Sequence, residues 1–285
     1  MIANISKLAA TALLSSLWIA GATGGPAPPF QSTERNDPQS ALCQKFLGVI
    51  GLPTYKKKMP GRMFACHDNY MLSYNTASKT PDWVLEHLTR AQVTGPNDRP
   101  RIGFSTDDFL PRQFQPIGDD YSHMPSDFQI GHMAPSEDFN IDVAAMKDTF
   151  QFSNAVPQVG HKFNAAIWAR LEREVRSAAA ERGEVFVLTG PVRARGESRT
   201  IVLRQNQNMC SIESRLDGPS ETHVCKVGNE STPRRGCPAG IEVPIALFKI
   251  IYDPVKGTAY GFLMANKEQP TNLGDERIGL EDGER

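Results

Sequence analysis

His132 lies in Gly131-His132-Met133-Ala134-Pro135. A second polar pair, Ser153-Asn154, precedes Pro157-Gln158, and Asn164, Glu172 and Arg176 follow on one segment of helical period. An imidazole changes charge near neutral pH and can take a proton from water. An amide oxygen is a hard donor of the kind Mg²⁺ accepts while keeping most of its waters. A phosphodiester is an anion that repels hydroxide, so its hydrolysis needs a base and a neutralising cation. These residue types therefore point to metal-assisted phosphodiester hydrolysis, with His132 as the base and Asn164 as the metal ligand.

On an ideal helix Glu172 lies about 80° and Arg176 about 120° around the wheel from Asn164, and roughly 12 Å of axis separates Asn164 from Glu172. Both cannot bind one ion directly. Glu172 is therefore assigned to metal-bound water and Arg176 to a phosphate oxygen.

The elements that must position these groups follow from periodicity. Residues 164–182 form the clearest helix, because Ile167, Trp168, Leu171, Val175, Ala178 and Ala179 fall on one stripe, and Gly183 ends it. Phe64 to Asn75 reads as strand, Pro81 to Leu88 as its extension or a short helix, and Asn97 to Gly118 as loop. Ile130–Ala134 and Phe150–Ser153 are short strand candidates. Val185–Leu188 is a buried strand closed by a turn at Thr189-Gly190-Pro191, and 245–252 pairs antiparallel with 259–264 around Asp253-Pro254-Val255-Lys256-Gly257. No regular βαβ alternation is visible, so the class is α+β.

The chain has 285 residues with 31 basic and 32 acidic side chains, 40% hydrophobic and 22% charged. These fractions exclude collagenous, coiled-coil, multi-span and wholly disordered classes. A net charge of -1 excludes a protein that holds nucleic acid by bulk electrostatics. Residues 1–22 read as a secretory signal, with Lys7, an apolar run and Ala20-Gly21-Ala22, which predicts export to a periplasm or the exterior and no membrane attachment once the signal is removed. Residues 23–40 read as a flexible leader, 41–270 as one domain with a Cys-containing insertion at about 196–240, and 271–285 as a polar tail. Of the five cysteines, Cys43 is expected to pair with Cys66, with a second bridge inside the insertion.

Several residues read as structural. His67, His87, His123, His161 and His223 read as hydrogen-bonded structural histidines, Trp168 as core, and Lys56 to Lys58 as a solvated face. Arg193, Arg195, Arg199 and Arg204 either line a nucleic-acid groove or belong to a solvated loop.

Taken together, these blocks resemble the DNA/RNA non-specific endonuclease family of ββα-metal type, which includes endonuclease G. The resemblance is carried by Phe128 to Pro135, by Thr149 to Gln158, and by Phe163-Asn164, Trp168, Leu171-Glu172 and Arg176. It continues in Arg101-x-x-Phe104-x-x-Asp107, Val187 to Pro191, and Val243-Pro244 to Lys249, so it spans about Cys66 to Asn266. It implies a ββα-metal core with a mainly antiparallel central sheet flanked by helices. It further implies His132 as general base, Asn164 as sole direct ligand of Mg²⁺ or Mn²⁺, Glu172 on metal-bound water, and Arg101 and Arg176 on the phosphate. The substrates implied are DNA and RNA, the products carry 5′-phosphates, Asn154 supports the site, and homodimerisation is left open. Where the family has Asp-Arg before Gly-His, this chain has Gln129-Ile130. Gln129 can still hydrogen-bond from a supporting position, whereas Ile130 cannot replace a guanidinium. A catalytically weakened, nucleic-acid- or protein-binding member is thus the second reading.

Overall fold

The structure is a computed structural model that describes residues 33–53, 61–116, 118, 121, 126–193, 199–201, 225–227, 230–232, 241–268 and 277–278. The expected signal, Lys56 to Lys58, Arg195, Arg204, Cys210, Cys237 and most of the insertion lie outside them. The described residues fall within one unit, Gln31–Arg285. None of their helices is long and apolar enough to cross a membrane.

In chain order the strands are β1 (Arg62–Cys66), β2 (Tyr70–Asn75), β3 (Thr80–Thr89), β4 (Phe128–His132), β5 (Ala155–Val159), β6 (Glu184–Val192), β7 (Arg199–Ile201), β8 (Cys225–Val227), β9 (Glu230–Thr232), β10 (Ile241–Val243), β11 (Ala246–Asp253), β12 (Thr258–Ala265) and β13 (Arg277–Ile278). The α-helices are α1 (Ala41–Ile50), α2 (Arg90–Val93), α3 (Val143–Asp148) and α4 (Ala169–Arg182). A seven-stranded sheet runs β1-β2-β3-β6-β11-β12-β13, antiparallel at every pairing. The α+β class with an antiparallel central sheet is therefore the observed one.

Strand alternation divides the core between the two faces of this sheet. Val84 and Leu88 of β3 pack with Trp168, Leu171, Val175 and Ala179 beneath α4. Trp83 and Leu85, pointing the other way, pack with Cys43, Phe46 and Leu47 of α1. Because both faces of β3 are covered, its sequence carries no apolar–polar alternation, which is why residues 81–88 read as strand or helix. The Cys43–Cys66 disulfide forms as expected, with a Cα separation of 5.5 Å, and ties α1 to β1.

Four local readings are corrected. Phe64 to Asn75 is a hairpin, with β1 and β2 antiparallel. Phe150–Ser153 is not a strand: Phe152–Asn154 is a 3-10 turn, and the partner of β4 is β5, with Phe128 opposite Val159 and His132 opposite Ala155. Thr189-Gly190-Pro191 does not turn but continues β6, where Thr189 faces Lys249 and Gly190 faces Phe248 of β11. A Cβ on Gly190 would meet the Asp82 carbonyl oxygen at 2.6 Å, so this glycine serves close strand packing, not a turn. Finally, part of the segment assigned to the flexible leader is anchored: Thr33 caps a turn over Glu34–Asn36, and the Asn36 amide donates to the carbonyls of Phe64 and Phe109, both at 2.7 Å.

Candidate active site

His132 ends β4 and is buried. Gly131 before it admits no side chain, since a Cβ there would meet the Gln158 side chain at 2.1 Å. The Gln158 amide in turn donates to the His132 carbonyl at 3.4 Å. On the other side Asn154, wholly buried, braces the chain that follows. Its Oδ1 accepts from the Ala134 N–H at 2.9 Å, its Nδ2 donates to the Ala134 and Thr149 carbonyls at 2.9 Å, and its carbonyl accepts from the Met133 N–H. The imidazole is walled by Phe104 and Phe150, with ring centroids at 4.6 and 4.7 Å. Its Nε2 has no hydrogen-bond partner among the described residues. Burial, with the charge of Arg99 added, holds its pKa down to about 3, so the ring is neutral at neutral pH.

Asn164 does not sit on an α-helix. Residues Gly160–Trp168 form a π-helical run that passes into α4, so angles drawn for an ideal α-helix from Asn164 to Glu172 and Arg176 do not apply. Such widened turns recur at functional sites. The Asn164 Nδ2 donates to Gln129 Oε1 at 2.9 Å. Gln129, standing where the family has an aspartate, thereby commits the nitrogen end of the amide and leaves Oδ1 without a hydrogen-bond partner among the described residues. Gly160 makes room for this contact, because a Cβ there would lie 3.0 Å from the Gln129 side chain.

Glu172 and Arg176 belong to an ionic cluster beneath α4. Arg176 donates to Asp138 at 2.8 Å, and Asp138 is buried. Lys249, also buried, donates to Thr189 Oγ1 at 2.7 Å and lies 5.2 Å from the Trp168 ring. Glu86 shares this interior face of the sheet with Val84 and Leu88. Burial pushes the Glu172 carboxyl up to about 8, an effect that the Lys249 charge opposes and Asp138 reinforces. Burial and Asp138 likewise push Glu86 upward. Acids and bases are thus interleaved beneath α4. Asp138, Glu86 and Lys249 were missed; the signal available was a charged residue at an inward position of each buried strand, Glu86 between Val84 and Leu88 and Lys249 between Leu247 and Ile251.

Arg99 and Arg101 are both exposed; the Arg99 guanidinium pairs with Glu137 at 3.5 Å, stands 5.3 Å from the centroid of Phe150, and its charge acts on His132. Arg193 lines no groove: it donates to Asp82 at 2.5 Å, Thr80 at 2.7 Å and the Pro81 carbonyl at 2.9 Å, and pairs with Glu242 at 2.8 Å. The acids that capture it come from segments that folding brings beside it.

Among the described residues no group of three or more His, Cys, Asp or Glu gathers to hold a metal. The donor that does fit a divalent ion is the Asn164 amide oxygen, its nitrogen end held by Gln129, a hard oxygen suited to a cation that remains largely hydrated. Gln129→Ala is expected to weaken Mn²⁺ binding by about 10- to 100-fold, the usual effect of losing a residue that orients a ligand. Calorimetric titration checks this, and unchanged affinity would remove Gln129 from the supporting role.

An antiparallel sheet under a long helix, with a histidine and an asparagine presented beside that helix, defines a ββα-metal nuclease fold. Residues 51–279 match the family described as DNA/RNA non-specific endonuclease, and the chain belongs to it. The human mitochondrial nuclease EXOG is 32% identical over 171 residues, 59% of this chain and 44% of its own length. The mitochondrial nuclease of Saccharomyces cerevisiae is 28% identical over 260 residues, 90% of this chain and 75% of its own. A crystal structure of an EndoG/EndoGI complex shares the fold with a TM-score of 0.60 at 23% identity, covering 84% of this chain and 86% of that one. The chain spans less than half the length of the frog, human and zebrafish EXOG proteins it matches. The expected export is corrected by these relatives, which are named as mitochondrial nucleases. Residues 1–22 carry one base, Lys7, no arginine and an apolar run, a composition that by itself favours the secretory reading over an arginine-rich presequence.

Proposed function

We propose that this chain is a mitochondrial, divalent-metal-dependent endonuclease that hydrolyses phosphodiesters of DNA and RNA without strong sequence preference. The observation that carries the reading is the buried, neutral His132, whose Nε2 has no hydrogen-bond partner among the described residues and which stands in the family's Gly-His block. A neutral imidazole nitrogen with nothing donating to it is ready to take the proton of an attacking water. Phe104 and Phe150 restrict its solvation, and Asn154 fixes the backbone that follows it. Asn164 would hold a cation such as Mg²⁺ or Mn²⁺, which when bound would supply the positive charge that neutralises the phosphate and leaving oxygen, with Glu172 assigned to metal-bound water. Arg99 and Arg176 are the guanidinium groups for the phosphate, Arg99 taking the part first given to Arg101. Arg176 is held in place by Asp138.

The test is cleavage of supercoiled plasmid and of single-stranded RNA by the full chain with Mg²⁺ or Mn²⁺. Both substrates are expected to be cut, with activity lost on chelation and regained on adding metal. Binding without cleavage under any divalent cation would overturn the proposal in favour of a binding module, the reading suggested by Gln129-Ile130.

A further inference from the structure

We propose that His67 is a positioning residue that clamps together the two loops walling the His132 imidazole. His67 follows Cys66, whose backbone is held by the disulfide to Cys43. The ring is wholly enclosed, stacked on Tyr70 at 4.3 Å and packed on Phe109 at 4.9 Å. Its Nε2 lies 3.0 Å from Asp107 Oδ2, and its Nδ1 lies 3.0 and 3.1 Å from the two oxygens of Asp148. A neutral imidazole has one N–H, so a ring with carboxylates at both nitrogens is the doubly protonated cation. Burial alone would lower its pKa, but Asp107 and Asp148 override this and raise it to about 9.

The two carboxylates belong to separate segments. Asp107 closes the stretch that starts at Phe104, and Asp148 ends α3 two residues before Phe150. Phe104 and Phe150 are the rings that flank His132. The segments are also joined by Ser105 N–H to the Phe150 carbonyl at 2.9 Å, by Phe152 N–H to the Ser105 carbonyl at 2.8 Å, and by Ser153 Oγ to Asp107 Oδ2 at 2.6 Å. Tyr70 adds its hydroxyl to the Asp148 carbonyl at 2.9 Å. The His67 cation is therefore the only side chain among the described residues for which bonds to both Asp107 and Asp148 are seen. Without it, two like-charged carboxylates would separate, the phenylalanine walls would part, and water would reach His132.

This inference rests on His132 as the base for its catalytic consequence, though not for its geometry, so the experiment reads the two separately. His67→Gln removes the charge and one donor, and Asp148→Asn weakens the clamp from its solvent-facing side without disturbing the buried ring. In the full chain, NMR titration of the His132 imidazole is expected to show its pKa rising toward the ordinary value in both variants. Plasmid cleavage is expected to show kcat falling about tenfold, with KM nearly unchanged, as for misplacement of a catalytic group. If His67→Gln does not fold, Asp148→Asn decides alone. A wild-type His132 titration in the folded variants overturns the clamp. A shifted titration with unchanged kcat supports the clamp and instead counts against His132 as the base.

Discussion

His132→Ala is expected to reduce kcat for plasmid cleavage by about 10²- to 10⁴-fold, the usual contribution of a positioned general base. KM should change little, because the proposed phosphate contacts are those of Arg99 and Arg176 and not of His132. Activity surviving the substitution at more than a tenth of the wild-type rate would remove His132 from the base role. The ring's environment also predicts the pH behaviour. Burial and Arg99 hold its folded pKa near 3, below the ordinary 6.5, so it stays an acceptor well into acid. The acid limb that His132 imposes on kcat/KM should therefore lie below pH 5. The same shift bears on stability with a definite sign. As pH falls from 6.5 toward 3 the unfolded chain binds this proton and the folded chain does not, so stability declines across that window. His132→Ala removes the effect and should lose less stability than wild type between pH 7 and pH 4.5, read as the difference in urea midpoint.

Asn154→Ala is expected to cost more stability than an ordinary point substitution. The side chain makes three buried hydrogen bonds, so its loss leaves the Ala134 N–H and the Ala134 and Thr149 carbonyls without these partners. At about 1–3 kcal/mol for each buried group left unsatisfied, the loss should exceed roughly 3 kcal/mol, the upper end of common mutational effects. Urea denaturation measures it. Activity measured where the variant is still folded should also fall, because residues 133 and 134 no longer hold His132 in place. A cost below about 1 kcal/mol would mean that water replaces the amide and that Asn154 is not the brace.

Much of the fold was legible because its signals are local. The stripe from Ile167 to Ala179 marked α4, Gly183 marked its end with φ 97°, and the β11–β12 hairpin closes around Asp253, whose Oδ1 accepts from the N–H groups of Val255 and Lys256. The Gly-His block and the downstream Ser-Asn and Asn-Trp-Glu-Arg blocks singled out His132, Asn154, Asn164, Glu172 and Arg176 as candidates, since chemistry of this kind restricts residue type and order. Less legible were elements whose periodicity is erased by burial on two sides, as in β3, or whose glycine serves packing instead of turning, as at Gly190.

Sequence by itself determined which residue types could do the chemistry and the order in which they occur, because an imidazole or an amide brings its properties wherever it is placed. Tertiary structure decided which of them act together. It put Arg99 and not Arg101 beside the wall of His132, gave Arg176 to Asp138 and Arg193 to Asp82, widened the helix at Asn164, and set Gln129 against its amide. Each outcome depends on a partner that is distant in the chain, such as Gln129, which is 35 positions from Asn164. The energy of a charge or a buried polar group is set by what surrounds it in space, and no local pattern records those surroundings.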